Sequence, residues 1–255
     1  MTQYVRYLQG NSTSYGILEG TSITPVEGPF GDFKPSDRPP VPLDAVRLLA
    51  PAVPTKIIAI GPNYRAYPGV EAVPLMMWTK PASCLNDPEG VIELPPGHPA
   101  VNHEAELAIV IGKRAKQVQP MNAGEYIFGF TCMNDVTLGD FSAPGAFGRS
   151  PYFVHGKICD GFAPLGPCIV TGLDISDLRL QCRVNGEIRQ DHSTSDRIHE
   201  PAELVATVSN YLTLLPGDII STGSPPGVQP LHDGDIVEVE IENIGILRNY
   251  ARTRP

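Results

Sequence analysis

The chain has 255 residues, of which 42% are hydrophobic, enough to bury one large core or a main core with a small appendage. Its formal net charge of -9 argues against nucleic acid as a partner. No apolar run approaches the roughly 18 residues that span a bilayer, and the N-terminus Met1-Thr2-Gln3-Tyr4-Val5-Arg6 lacks a signal-peptide core. A cytoplasmic protein without membrane or nucleic-acid partners is expected. Gly 25 and Pro 27 make up about a fifth of the chain without any repeat, which predicts many short strands joined by turns. The five cysteines, Cys84, Cys132, Cys159, Cys168 and Cys182, are scattered and show no CxxC spacing, so buried free thiols in a reducing compartment are expected.

Residues 1–50 read as a small β arm with a Pro-rich linker, and 51–255 as the main domain. Tyr4–Leu8 and Ser14–Leu18 are predicted strands around a turn, followed by Pro35, Pro39, Pro40 and Pro42. Lys56–Gly61 reads as a buried strand, then comes a polar loop from Pro62 and a strand over Leu75–Lys80. Glu104–Ile111 starts with two carboxylates and continues as an unbroken apolar run. Tyr126–Val136 is a further strand that ends on a polar pair, and residues 139–156 form a long loop of the length usually kept for function. In the last third, Leu178–Val184 alternates and meets Asn185-Gly186, a type I′ hairpin turn. Pro201–Leu214 has helical spacing, with Leu204, Val205, Val208, Tyr211 and Leu212 on one face. Pro216–Gly223 reads as turn and strand, and Ile236–Ile241 and Ile244–Asn249 as a closing hairpin.

Residues i and i+2 of a strand share a face, so Glu104 and Glu106 stand side by side. They repel unless a cation or a proton lies between them; the alternative is a solvated strand end. With Asp135 they make an all-oxygen set suited to a hard cation, Mg²⁺ first, with Mn²⁺ or Ca²⁺ tolerated. Three such acids occur in any β protein, so the sequence around them decides.

His103-Glu104-Ala105-Glu106-Leu107-Ala108, Met133-Asn134-Asp135-Val136-Thr137, Gly156-Lys157, Asp160-Gly161-Phe162, the Val184-Asn185-Gly186-Glu187 hairpin and the Gly/Pro-rich run from Pro216 to Val228 occur in an order that resembles the fumarylacetoacetate hydrolase family. The resemblance covers roughly residues 56–250. It implies a mainly β (α+β) fold, a mixed β-roll with a few short helices, and a Mg²⁺ held by Glu104, Glu106 and Asp135. It also implies a homodimer that takes a small-molecule 2-oxo acid or β-dicarbonyl compound and hydrolyses a C–C bond, decarboxylates or tautomerises it. Lys157 matches the family's lysine beside the metal, where it is expected to bind substrate or developing enolate, with its pKa open to lowering by the cation. Thr222 and Ser224 are candidate substrate-binding hydroxyls in a turn that a plain structural role would also explain. Arg65 and Lys80 are basic candidates near the pocket mouth, each also readable as a surface charge.

Two departures from the family pattern bear on the reaction. The family's hydrolases carry Asn-Tyr-x-x-His-x-x-Glu, in which His and Glu activate water. Here the run is Asn63-Tyr64-Arg65-Ala66-Tyr67-Pro68-Gly69-Val70-Glu71: Tyr67 replaces the histidine, and Glu71 comes one residue late. Tyrosine is a poor base at neutral pH but a competent proton donor. The glutamine often found seven residues after the aspartate is Ser142, a further substrate-binding candidate, and the only spatially plausible substitute histidine is His155. Tyr67, Glu71 and Lys157 are therefore the candidate catalytic residues, and decarboxylation or keto–enol isomerisation is favoured over hydrolysis. A hydrolase with a rearranged lid and a non-catalytic metabolite-binding protein are the alternatives.

Overall fold

The computed structural model describes residues 1–67, 69, 74–97, 100–139 and 155–254. Among these residues strands dominate, and Pro201–Tyr211 is the one α-helix. A large curled sheet runs in the order Lys34–Pro35, Ser22–Glu27, Ser12–Glu19, Thr2–Gln9, Ala163–Thr171, Ile127–Asn134, Ala105–Ile111, Ile219–Ser221, Ile57–Gly61 and Met76–Lys80. The N-terminal strands thus continue the main sheet, with Thr2–Gln9 antiparallel to Ala163–Thr171. A second sheet orders Val91–Leu94, Gly245–Thr253, Ile236–Ile241, Arg179–Val184 and Glu187–Ser193.

Ala105–Ile111 is buried along its whole length because both of its faces are covered. Leu107, Ile109 and Ile111 enter the main core, which the second sheet's Leu180, Cys182, Val237 and Val239 share. Ala108 and Val110 enter a smaller core with Met133, Ile169 and Ile219. A strand covered on both faces loses polar alternation, hence its unbroken apolar sequence. The second sheet shows the opposite pattern. Val237, Val239 and Ile241 point inward, while Glu238 on the outer face pairs with Arg183 and Arg248 at 3.2 and 2.8 Å. The alternation read from Ile236–Ile241 is the direct record of that one-sided burial.

Asn185 and Gly186, at φ 52° and 82°, make the tight hairpin expected of Asn-Gly. Pro201 opens the helix behind a capping box in which the Glu200 amide donates to Glu203 Oε2 at 3.1 Å. Two details differ from expectation. The strand of the paired glutamates begins at Ala105, leaving Glu104 just outside it. Tyr211 is 70% exposed rather than on the buried helix face, because the helix ends there and Leu212 is already extended. All five cysteines are free thiols, four of them buried. No described helix is long and apolar enough to cross a membrane.

Candidate functional site

The site lies where three antiparallel neighbours bring the end of one strand beside the start of the next. Ala105 is paired with Asn134, so Asp135 emerges opposite Glu104, and the Asp135 amide donates to the Glu104 carbonyl at 2.9 Å. Asn134 Oδ1 accepts from the Glu104 amide at 2.8 Å, which fixes the same junction from the side chain. On the other flank Ala108 pairs with Ser221, so the chain after Ser221 passes over the start of the central strand. There the Ser221 hydroxyl and the Gly223 amide, the latter at 2.7 Å, donate to Glu106 Oε2.

Glu104, Glu106 and Asp135 thereby converge, with one oxygen of each lying within 4.8 Å of the others, and all three are buried. Lys157 Nζ donates to Glu104 Oε2 at 2.9 Å and to Asp135 Oδ2 at 2.6 Å, while standing 4.9 Å over the Trp78 ring. Gly156 lets Lys157 approach: a Cβ there would lie 2.1 Å from the Leu138 carbonyl oxygen, so only glycine fits. Lys80, read from sequence as a possible surface charge, is instead fully buried. It meets Asp135 Oδ1 at 2.5 Å and donates to the Val136 carbonyl at 3.0 Å.

Burial and charge set the electrostatics. Burial, reinforced by Asp135 and Glu104, pushes the Glu106 carboxyl well above the usual range. Burial likewise raises Glu104, opposed by Lys157. Asp135 is also buried, but Lys157 and Lys80 outweigh that and hold it below the usual range. Burial lowers Lys157, yet Asp135, Glu104 and Glu106 prevail and raise it, so without a cation the lysine is a fixed ammonium. Three carboxylates face two ammonium groups, and the donors reaching Glu106 are neutral. A buried, all-oxygen site with carboxylate in excess has the composition that a hard divalent cation satisfies, and the triad fits one.

The other candidates divide. Tyr67 is half-buried; burial and then the nearby Glu104 and Glu106 charges raise its phenol above its ordinary pKa, which keeps it a proton donor. The base of its loop is held by Asn63, whose Oδ1 accepts from the His199 amide and whose Nδ2 donates to the Thr222 carbonyl, both at 2.8 Å. Arg65 is exposed and donates to the Ser195 carbonyl at 3.3 Å. The Thr222 hydroxyl donates to the Leu107 carbonyl at 2.9 Å and is buried, a bond that ties the turn to the central strand. Ser224 is half-buried and accepts from Gln190 Nε2 at 2.8 Å. His155 is exposed, in the short turn that carries Lys157. Glu71 and Ser142 lie outside the described residues. Asn63 and Ser221 fall within runs that match the family pattern but carry no assigned role there, and Gln190, in the polar run Glu187–Ser193, has no sequence cue. His103, beside Glu104, faces Gln190 at 3.0 Å, and burial lowers its imidazole to about 4.

A family model described as Fumarylacetoacetate (FAA) hydrolase C-terminal matches residues 56–252. The chain belongs to the fumarylacetoacetate hydrolase family. A second model, Rv2993c-like, N-terminal, matches residues 2–51. Among relatives, the mitochondrial oxaloacetate tautomerase FAHD2A of Bos taurus is 39% identical over 226 residues, 83% of this chain and 71% of the relative. The crystal structure of 2-hydroxyhepta-2,4-diene-1,7-dioate isomerase from Mycobacterium marinum superposes with a TM-score of 0.88 at 35% identity, covering 100% of this chain and 99% of that one. Maleylpyruvate hydrolase from Sphingobium sp. SYK-6, solved with manganese(II) and pyruvate, superposes at 0.80 with 28% identity, covering 99% and 100%. Family members similar to this chain thus include isomerases, hydrolases and tautomerases, which supports an enzyme, and the β-roll expected from the sequence is the fold observed.

Proposed function

We propose that this member of the family is a divalent-metal-dependent enzyme that isomerises the keto and enol forms of a 2-oxo acid or β-dicarbonyl compound, or decarboxylates it. The observation that carries the reading is the intact carboxylate–lysine cluster, taken with a sequence that has Tyr67 where the family's hydrolases carry histidine. The names of the tautomerase and isomerase relatives support enolisation, and the manganese and pyruvate of the Sphingobium complex support a divalent cation beside a 2-oxo acid.

Glu104, Glu106 and Asp135 would hold Mg²⁺ or Mn²⁺, which when bound supplies Lewis acidity that stabilises negative charge on a carbonyl oxygen as an enolate forms. Ser221 and Gly223 orient Glu106, and Lys157 and Lys80 orient Asp135. Lys157 Nζ, fixed and positive, adds a second stabilising charge and attracts a substrate carboxylate. The Tyr67 phenol, kept protonated, delivers its proton to the substrate carbon while the enol hydroxyl's proton leaves to solvent, and the phenolate then recovers one from solvent. Hydrolysis would need a base to activate water, and a tyrosine with a raised pKa serves that role poorly. The family resemblance also supports a homodimer acting on a small-molecule substrate.

The test is a comparison of three activities of one purified sample: loss of oxaloacetate enol absorbance, release of pyruvate from oxaloacetate, and cleavage of acetylpyruvate followed by chromatography. Metal-dependent enol loss or pyruvate release faster than cleavage is expected. Cleavage of acetylpyruvate at an ordinary enzymatic rate, outpacing both, would restore the hydrolase reading.

A further inference from the structure

Gln190 lies on Glu187–Ser193, an edge strand of the second sheet, yet its side chain is only 1% exposed because it crosses to the main sheet. Its Oε1 accepts from the Ala105 amide at 3.1 Å and faces His103 Nδ1 at 3.0 Å. Its Nε2 donates to the Pro225 carbonyl at 2.7 Å and to Ser224 Oγ at 2.8 Å. A primary amide has two acceptor lone pairs and two donor hydrogens, so all four are used. The orientation of the amide follows from its partners: a backbone N–H can only donate and a backbone carbonyl can only accept. Because Oε1 cannot donate, His103 carries its hydrogen on Nδ1.

The four bonds join two segments that are tied on either side by backbone bonds, the Thr222 amide donating to the Leu107 carbonyl at 3.0 Å and the His103 amide to the Gln229 carbonyl at 3.3 Å, and Gln190 spans the gap between those two points. The Ala105 amide belongs to the peptide that links Glu104 to Ala105, one residue before Glu106. Ser224 and Pro225 follow Gly223, whose amide holds Glu106 Oε2. The turn is pressed against the Gln190 strand at its far end as well, since a Cβ on Gly227, at φ +103°, would lie 2.2 Å from the Arg189 carbonyl oxygen. We propose that Gln190 is a positioning residue that fixes the distance between the Glu104–Glu106 peptide and the Gly223 turn, and through it the affinity of the carboxylate triad for a divalent cation. This rests on the metal-centred reading above. Gln190 bonds to none of the three carboxylates; it acts through Glu106.

Calorimetric titration of the full chain with MnCl₂ tests the proposal. Gln190→Met keeps length and removes all four bonds; it is expected to weaken Mn²⁺ binding about 10- to 100-fold, the range seen when a partner of a metal ligand is lost. Gln190→Asn keeps the amide but is one carbon short of spanning both segments, and it is expected to weaken binding in the same direction even if Gln190→Met does not fold. Val184→Ala, in the neighbouring strand of the same sheet, destabilises the core without touching the bridge and should leave the affinity unchanged. Wild-type affinity in either folded Gln190 variant, or an equal loss in Val184→Ala, overturns the proposal. A wild-type protein that binds no Mn²⁺ overturns it together with the metal reading, so the two failures are told apart by the wild-type titration.

Discussion

Lys157→Met is expected to abolish turnover and to destabilise the protein in the same experiment. The ammonium sits between Glu104 and Asp135 at 2.9 and 2.6 Å, and it is 1% exposed. Removing one partner of a buried ion pair costs about 3–5 kcal/mol, because the remaining charge stays desolvated. Here the carboxylates can relieve part of that by taking up protons, so the loss should fall near the lower end of that range. For turnover, a preorganised cation aimed at developing negative charge contributes on the order of 10²–10³ in rate. Thermal denaturation in chelator reports the first effect, and progress curves of enol loss with saturating Mn²⁺ report the second. Lys157→Arg is not expected to rescue activity: the planar guanidinium is wider than an ammonium, and the Gly156 backbone already lies against Leu138 with no room to retreat. Undiminished turnover in Lys157→Met would reduce the lysine to a structural counter-ion.

The division between what the sequence reveals and what it hides follows the range of the contacts. One-sided burial is recorded residue by residue, so Ile236–Ile241 and Arg179–Val184 are legible as strands, and Asn185-Gly186 as the turn from Arg179–Val184 into Glu187–Ser193. The paired glutamates are legible for the same reason, since a two-residue spacing fixes a shared face before any tertiary contact forms. Ala163–Thr171 is not: Pro164, Gly166 and Pro167 read as loop, and only its pairing with Thr2–Gln9 on one side and Ile127–Asn134 on the other makes it a strand. Lys80 is hidden for a related reason. A lysine is surface by default, and its burial depends on Asp135, which is 55 residues away. Gln190 belongs to the same class: its four partners come from two distant segments, and nothing in its own neighbourhood marks it.

Adding Mn²⁺ should raise the melting temperature of the wild-type protein and leave that of Glu106→Gln unmoved. A ligand that binds the folded chain at a hundred times its dissociation constant stabilises it by about 2.7 kcal/mol. For a chain of this size that corresponds to a rise of roughly 5–10 °C. Glu106 is the informative ligand because it is the one the protein compensates least: Lys157 and Lys80 contact Glu104 and Asp135, whereas Glu106 receives the Ser221 hydroxyl and the Gly223 amide. Burial and its two acidic neighbours oppose a charge on Glu106 in the cation-free protein, and glutamine, a neutral group of nearly the same shape, removes that opposition. The amide oxygen can keep both donors while the amide hydrogens face the neighbouring carboxylates. In chelator, Glu106→Gln should therefore melt at or above the wild-type temperature, the reverse of what loss of an ordinary buried partner produces. In Mn²⁺ the order should invert, and turnover should be lost from the variant and from chelated wild type alike. Equal Mn²⁺ stabilisation of both proteins would show that the ion binds elsewhere. Destabilisation of Glu106→Gln in chelator would show that the glutamate is ionised and structurally required without a cation, which would remove the main physical reason for placing one at this site.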